Sequence, residues 1–587
     1  MLAVLLALVA QDSTPQLSFR LTVPNDRSAY RVELQISHPP NPSRLVIPAW
    51  APGAYVLMNS GENITGFEAS SADARLAVRQ DSPNSWVIDT RGKPSITVRY
   101  TAGLRDSVAW RRPNNRWFLR TTSGMLDGPR TFMYLDGWKQ LPARVSFTLP
   151  AGWRIATALA PATGDSTTYT APNYDVFIDS PMLLGQFLSY PFTAAGTPHR
   201  AVVDLGGGRA SAPTAFVNML RRISTTAIEV FGAAPYQDYT YIFVGGRGGG
   251  LEHANSTTIG VTTEILARSP RGAQTVSAHE FFHAWNVKRI RPIELGPFDY
   301  EHEVRTVNLW WSEGVTDYYA DVILARAGLN TPADFARRLA TSIENLQGDP
   351  AHLMISPERS SWTTWDAPAV NHGVTISYYL QGELLGFLLD LAIRDSTDNA
   401  KSLDDVMRYL LEHYAGAHGF TRDQLLAAVR SATGCDFAEF WRLHVSGVTE
   451  IPWNNYLQAA GWRVAFTTEP AVDARIGSLP PAVQGGRWRA VAALGSAAWS
   501  AGLRTGDELV RINRREIIDA TDVAAATRPL RPGAGVVVDV VHDGQPRTIR
   551  FRASRYQRLR ARLRDLPAQT AKMQRIRAGL TRGGATR

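Results

Sequence analysis

The sequence contains a single cysteine, Cys435, so it can build neither an intrachain disulfide framework nor a thiolate metal site. Any metal must be held by histidine and carboxylate. It also lacks any apolar run of the roughly 20 residues that a membrane-spanning helix needs, and no transmembrane anchor is expected. Met1 to Ala10, MLAVLLALVA, is too short to span a bilayer but compatible with the apolar region of a secretory signal cleaved before Gln11. A periplasmic or secreted protein is therefore the expectation, and the missing basic leader keeps a cytoplasmic one as the alternative. Acids are outnumbered, 53 against 62 Lys and Arg, for a net charge of +9. That surplus is not spread out: Phe551 to Arg587 holds eleven basic residues against one acid, Asp565. The rest is near neutral, the basic end reads as a solvated or frayed tail, and no nucleic-acid partner is expected. What is present, 44% hydrophobic and 20% charged residues with 16 Trp and 35 Pro, belongs to a packed globular protein.

At 587 residues the chain exceeds what one core organises, and its texture changes twice. From Leu17 to about Phe192 short alternating segments recur between Pro, Gly and Asn, such as Tyr30 to Ile36 and Ser95 to Tyr100. After Thr214 apolar residues return at helical spacing, Phe216, Met219, Leu220, Ile223 and Ile228, with a strand at Tyr241 to Val244. Helical patterns run on to about Trp462. Beyond lie short strands, the last two joined across Asp543-Gly544, a favoured hairpin turn. The expectation is a multidomain α+β chain: a signal at 1–10, a β-rich N-terminal domain at 11–195, a mainly helical catalytic domain with a small sheet at 196–465, a small β-rich domain at 466–555 and a basic tail at 556–587.

The chemistry is carried by Ala278-His-Glu-Phe-Phe-His-Ala284, an HExxH pattern in a segment, Val276 to Val287, that can run as a helix. Residues four apart share a helical face, so His279 and His283 can address one ion while Glu280, one step round, reaches a water on it. Glu313, beyond residues 284 to 312 on a second helical segment, supplies a third ligand, and Asp317 on the same face can accept a hydrogen bond from the free nitrogen of a liganding imidazole. Three protein ligands leave a fourth position open, as in catalytic zinc sites. One Zn2+ per chain and hydrolysis follow, with Glu280 moving the proton from water to the leaving amine. Tyr378 and Tyr379 are both candidates for an oxyanion donor. Glu252 follows the glycine-rich run Val244 to Gly250; Gly249 and Gly250 let a substrate backbone approach a strand edge, and a carboxylate there can bind an ammonium. His253 and Asn255 are neighbours rather than ligands. Lys288-Arg-Ile-Arg291 recognises a carboxylate or, the preferred reading, stabilises a helix C-terminus.

These stretches, with Pro48 to Tyr55, Gly249 to Ser256, His279 to Pro292, Trp311 to Gly314 and Tyr379 to Gly382, resemble the glycyl aminopeptidase family of PDZ-containing gluzincin metallopeptidases, relatives of leukotriene-hydrolase-like aminopeptidases. The resemblance implies a thermolysin-like catalytic domain, Glu252 as anchor for the α-amine, Tyr379 rather than Tyr378 as oxyanion donor, and a preference for N-terminal Gly or Ala. Ser496 to Asn513 is similar to a bacterial PDZ domain, with Ile476 to Leu479 as its carboxylate loop and a peptide C-terminus as its partner. The expected partners are peptides with a free N-terminus. The alternatives are an endopeptidase that captures substrate tails through the PDZ domain and, further off, a PDZ-based binding protein.

Overall fold

The structure, a computed structural model, describes residues 14–103, 117–206, 214–246, 249–366, 374–473, 476–479 and 487–582. The segment read as a secretory signal lies outside the described residues. From Gln16 to Gly185 the chain is β-rich, as the alternation predicts. Gln16–Thr22 pairs antiparallel with Tyr30–Ser37, burying Leu17, Phe19 and Leu21 while Ser18 and Arg20 face solvent. Both belong to a seven-stranded sheet that shares one core with two four-stranded sheets.

The middle domain opens earlier than its texture suggested. Leu188–Ala194 and Thr197–Asp204 form a hairpin whose turn residues, Ala195 and Gly196, both have positive φ. Thr197–Asp204 runs parallel to Tyr239–Gly245, and that strand parallel to Ser256–Val261. The domain break therefore falls just before Leu188, not at 196. Residues 188–194 alternate like the strands before them, and alternation carries no information about which sheet a strand joins. Gly250–Glu252 closes this five-stranded sheet as an antiparallel edge. Thr214–Phe231 is the helix its spacing predicts, burying Phe216, Met219, Leu220 and Ile223. In this core the helix Val315–Arg326 packs against both Arg271–Phe282 and Tyr378–Ser396.

The basic segment at 556–587, expected as a frayed tail, is ordered over its described residues. Ser554–Asp565 pairs antiparallel with Trp462–Asp473 along a two-stranded ribbon, and the helix Ala571–Arg582 buries Ile576 and Leu580 against the middle domain. Its arginines meet acids on other elements: Arg560 contacts Glu344 and Glu469, and Arg575 contacts Asp398. Counting charge within the segment could not reveal these partners. Boundaries at 466 and 555 cut through the ribbon. Between its strands folds a separate β unit with the strand order Ile476–Leu479, Arg489–Ala492, Glu508–Ile512, Gly535–His542, Gln545–Arg552 and its own core around Leu503, Leu509 and Val538. Asp543 and Gly544 both have positive φ in the predicted hairpin turn. Ile476–Leu479, expected as a loop, is the edge strand.

Candidate active site

His279 lies in the last turn of the helix Arg271–Phe282, and His283 caps it. The helix does not run on to Val287: His283 Nδ1 donates to Asn286 O at 2.5 Å, and the amide of Lys288 bonds back to His283 O, turning the chain aside. One helical turn still separates the two rings, and their Nε2 atoms are 3.0 Å apart. Glu313 Oε2 lies 3.5 Å from His279 Nε2 and 3.2 Å from His283 Nε2. Ligands at zinc distances of about 2.0–2.1 Å in a tetrahedron stand about 3.3 Å from each other, so these three atoms are spaced as zinc requires. Their surroundings fit as well. Asp317 Oδ1 sits 2.7 Å from His279 Nδ1, and Asn286 O occupies His283 Nδ1, which leaves both Nε2 lone pairs facing one point. Glu313 is buried, and its Oε1 has no hydrogen-bond partner, which suits a carboxylate placed to meet a cation. Burial opposes charge on both imidazoles, but Asp317 and Glu313 at His279, and Glu313 at His283, outweigh it and raise both pKa values. Burial of Glu313 is outweighed in turn by the two rings, which hold its carboxyl below the usual range.

Glu313 reaches this point from a π-helical turn, Trp310–Gly314, that leads into Val315–Arg326. A π turn leaves carbonyls that the α ladder would have satisfied, and Asn286 meets two of them: its Nδ2 donates to Trp311 O at 3.0 Å and to Ser312 O at 3.3 Å, and also to the Thr316 hydroxyl at 3.1 Å. The backbone of Asn286 thus orients His283 while its side chain holds the Glu313 turn. Sequence reasoning gave it no role. Gly382 packs on Trp310 O and on Gly314, where any Cβ would collide with backbone; this close crossing brings Tyr378 and Tyr379 beside Glu313. Tyr379 lies over His279, ring centroids 6.1 Å apart, whereas Tyr378 joins an apolar group with Tyr55, Val287 and Leu309.

Glu280 is buried, and a Cβ on Gly250 would fall within its carboxylate, so the edge strand must carry glycine there. Gly249, at φ +113°, has a backbone only glycine adopts easily. Glu252 is 4% exposed, and its Oε1 accepts no hydrogen bond. It is not walled in by its own domain. Gly53, at φ +88°, lies so close that a Cβ would collide with the Glu252 carboxylate, and the loop holding Gly53 is pinned by Trp50 Nε1 donating to Asp299 O at 2.8 Å. Lys288 and Asp179 complete the surroundings, along a cavity of about 200 Å³ also lined by Trp50, Tyr55, Phe298 and Tyr300. Lys288 is a buried partner of Asp179, not a helix-end cation, and Asp179 escaped the sequence reading entirely. His253 faces Asp179 rather than the metal ligands, and Asn255 donates to Ala158 O, so neither is a ligand.

Residues 18–186 match the peptidase M61 N-terminal domain, and residues 273–385 match the M61 glycyl aminopeptidase domain. The chain shares its fold with an aminopeptidase N family protein from Idiomarina loihiensis, at a TM-score of 0.77 and 23% identity over 96% of this chain and 100% of that one. More distant are an M1 zinc metallopeptidase from Deinococcus radiodurans, at a TM-score of 0.48 and 18% identity over 75% of this chain and 95% of that one, and yeast LTA4 hydrolase in complex with bestatin, at 0.48 and 14% over 76% and 71%. No curated protein matches the chain. Among its described residues, no helix is long and apolar enough to cross a membrane.

Proposed function

We propose that this M61 chain is a zinc-dependent aminopeptidase. One observation carries the reading: ligand atoms of Glu252, Glu280 and His283 all lie within 4.8 Å of one another. An α-amine stands about 2.5 Å from its own carbonyl carbon, and each further residue adds about 3.5 Å. An ammonium held by Glu252 therefore leaves room for one residue before the reacting carbonyl, which is the geometry of an exopeptidase.

His279, His283 and Glu313 would hold one Zn2+, with Asp317 and Asn286 O orienting the rings. When bound, zinc polarises the scissile carbonyl and lowers the pKa of a water to about 7. Glu280, held against Gly250, takes the proton of the attacking water and passes it to the leaving amine. Tyr379, beside His279, donates to the developing oxyanion. The backbone of Gly250, at the start of the edge strand, and of Gly249 just before it pairs with the extended substrate. The family resemblance adds the preference for Gly or Ala and a thermolysin-like catalytic domain, and the apolar segment Met1 to Ala10 adds export from the cytoplasm. The unit from Ile476 to Arg552 is read as a PDZ domain, whose edge strand Ile476–Leu479 beside the helix Ala520–Thr527 would receive a peptide C-terminus.

The test is hydrolysis of one glycyl peptide with a free and with an acetylated N-terminus. The free peptide is expected to be cleaved at least about a hundredfold faster, since a buried charge loses its partner when the amine is blocked. Equal rates would turn the reading to an endopeptidase.

A further inference from the structure

Glu252 is not alone as a buried charge at the boundary between the two domains. Lys288 Nζ lies 2.9 Å from Asp179 Oδ1 and 3.8 Å from Glu252 Oε1, and the side chains of Lys288 and Glu252 are more than nine-tenths buried. The first distance is a hydrogen-bonded ion pair, whereas the second is beyond hydrogen-bond reach. Asp179 cannot swing away. It ends the helix Tyr174–Ile178 of the N-terminal domain, its Oδ2 accepts the Ala254 amide at 2.8 Å, and its Oδ1 lies 3.2 Å from His253 Nδ1. Burial works against both charges. Lys288 outweighs it at Asp179, whose pKa is lowered, and Asp179 and Glu252 outweigh it at Lys288, whose pKa is raised. Two carboxylates thus share one ammonium, and the unmatched negative charge is left on Glu252, whose Oε1 accepts nothing from the protein.

We propose that Asp179 is the counter-ion that holds Lys288 off Glu252 and so keeps the Glu252 carboxylate free for the N-terminal ammonium of a peptide. This rests on the aminopeptidase reading and deepens it. Asp179 and Lys288 are positioning residues, and the N-terminal domain selects the amine although it carries none of the metal ligands. Without the charge of Asp179, the nearest carboxylate for Lys288 is Glu252, and an internal ion pair forms where the substrate amine belongs. Removing Lys288 as well clears that site again.

The experiment measures kcat and KM on free-amine and N-acetylated glycyl peptides for the full-length chain and for Asp179→Asn, Lys288→Met and the double variant, with zinc content and thermal melting as controls. Asp179→Asn is expected to raise KM for the free-amine peptide about ten- to a hundredfold, the effect of one charge-assisted hydrogen bond, with zinc content unchanged. Adding Lys288→Met is expected to restore most of the loss, which a merely structural role for Asp179 would not do. A KM within about twofold of wild type in Asp179→Asn, or a double variant as poor as the single one, overturns the proposal. Should Asp179→Asn not fold, Lys288→Met alone decides: an unchanged or lower KM supports the proposal, and a rise of about tenfold overturns it. A wild-type chain that cleaves blocked and free peptides alike would instead sink the aminopeptidase reading itself.

Discussion

At the metal site all contributing residues, His279, His283, Glu313, Asp317 and Asn286, come from one domain and one core, whereas Glu252 is surrounded by Gly53 and Asp179 from the other domain as well as by Lys288. The first arrangement is set by helical spacing and a few local hydrogen bonds. The second exists only once two domains have docked. If both contributions are as described, the metal and the preference for an amine should be separable by mutation.

The largest effect belongs to the metal side. Glu280→Gln should lower kcat by about 10²–10⁴ while zinc content stays at the wild-type level, because it removes the proton acceptor and none of the ligands. Retained turnover in that variant would break the assigned role. Asn286→Ala should weaken zinc binding by about ten- to a hundredfold in a chelator competition, since it frees the carbonyls of the Glu313 turn, and should leave the ratio of free to acetylated peptide cleavage as it was. Gly53→Ala should do the reverse. Its Cβ would meet the Glu252 carboxylate at a backbone angle that disfavours alanine, so KM for free peptides should rise about tenfold with zinc affinity unchanged. Loss of zinc in Gly53→Ala, or of amine preference in Asn286→Ala, would show that the two sites are one unit.

The smallest effect is on stability. Glu383, on the same helix as Tyr379, is pushed up to about 8 by burial and then by Asp321, and its Oε1 accepts a hydrogen bond from Ser342 at 2.7 Å. A carboxyl that keeps its proton in the folded state contributes stability that is lost as pH rises from its unfolded value, about 4.3, through its folded one. Glu383→Gln should therefore melt close to wild type at pH 5 and a few degrees higher at pH 9.

The sequence made the metal side legible because its information is local: spacing of four placed His279 under His283, and Asp317 followed Glu313 by one turn. Even there the helix is shorter than its pattern implies, since the bond from His283 to Asn286 O that ends it pairs a side chain with a backbone atom and has no periodic signature. Lys288 was read as a helix-end cation because its partner, Asp179, lies more than a hundred residues away in another domain. The sheet that Leu188–Ala194 joins and the docking of the helix Ala571–Arg582, which lies in the segment expected as a frayed tail, are hidden for the same reason: alternation and charge counts describe a segment, not the surface it meets.

The proposed zinc site is tested most directly by metal content. Wild type and Glu313→Ala, each dialysed against a weak chelator at neutral pH, would be assayed for bound zinc by mass spectrometry. About one zinc per chain in the wild type and almost none in the variant is the expected result. A wild-type chain that retains no zinc, or a variant that retains as much, would contradict the convergence of His279, His283 and Glu313 on a single ion.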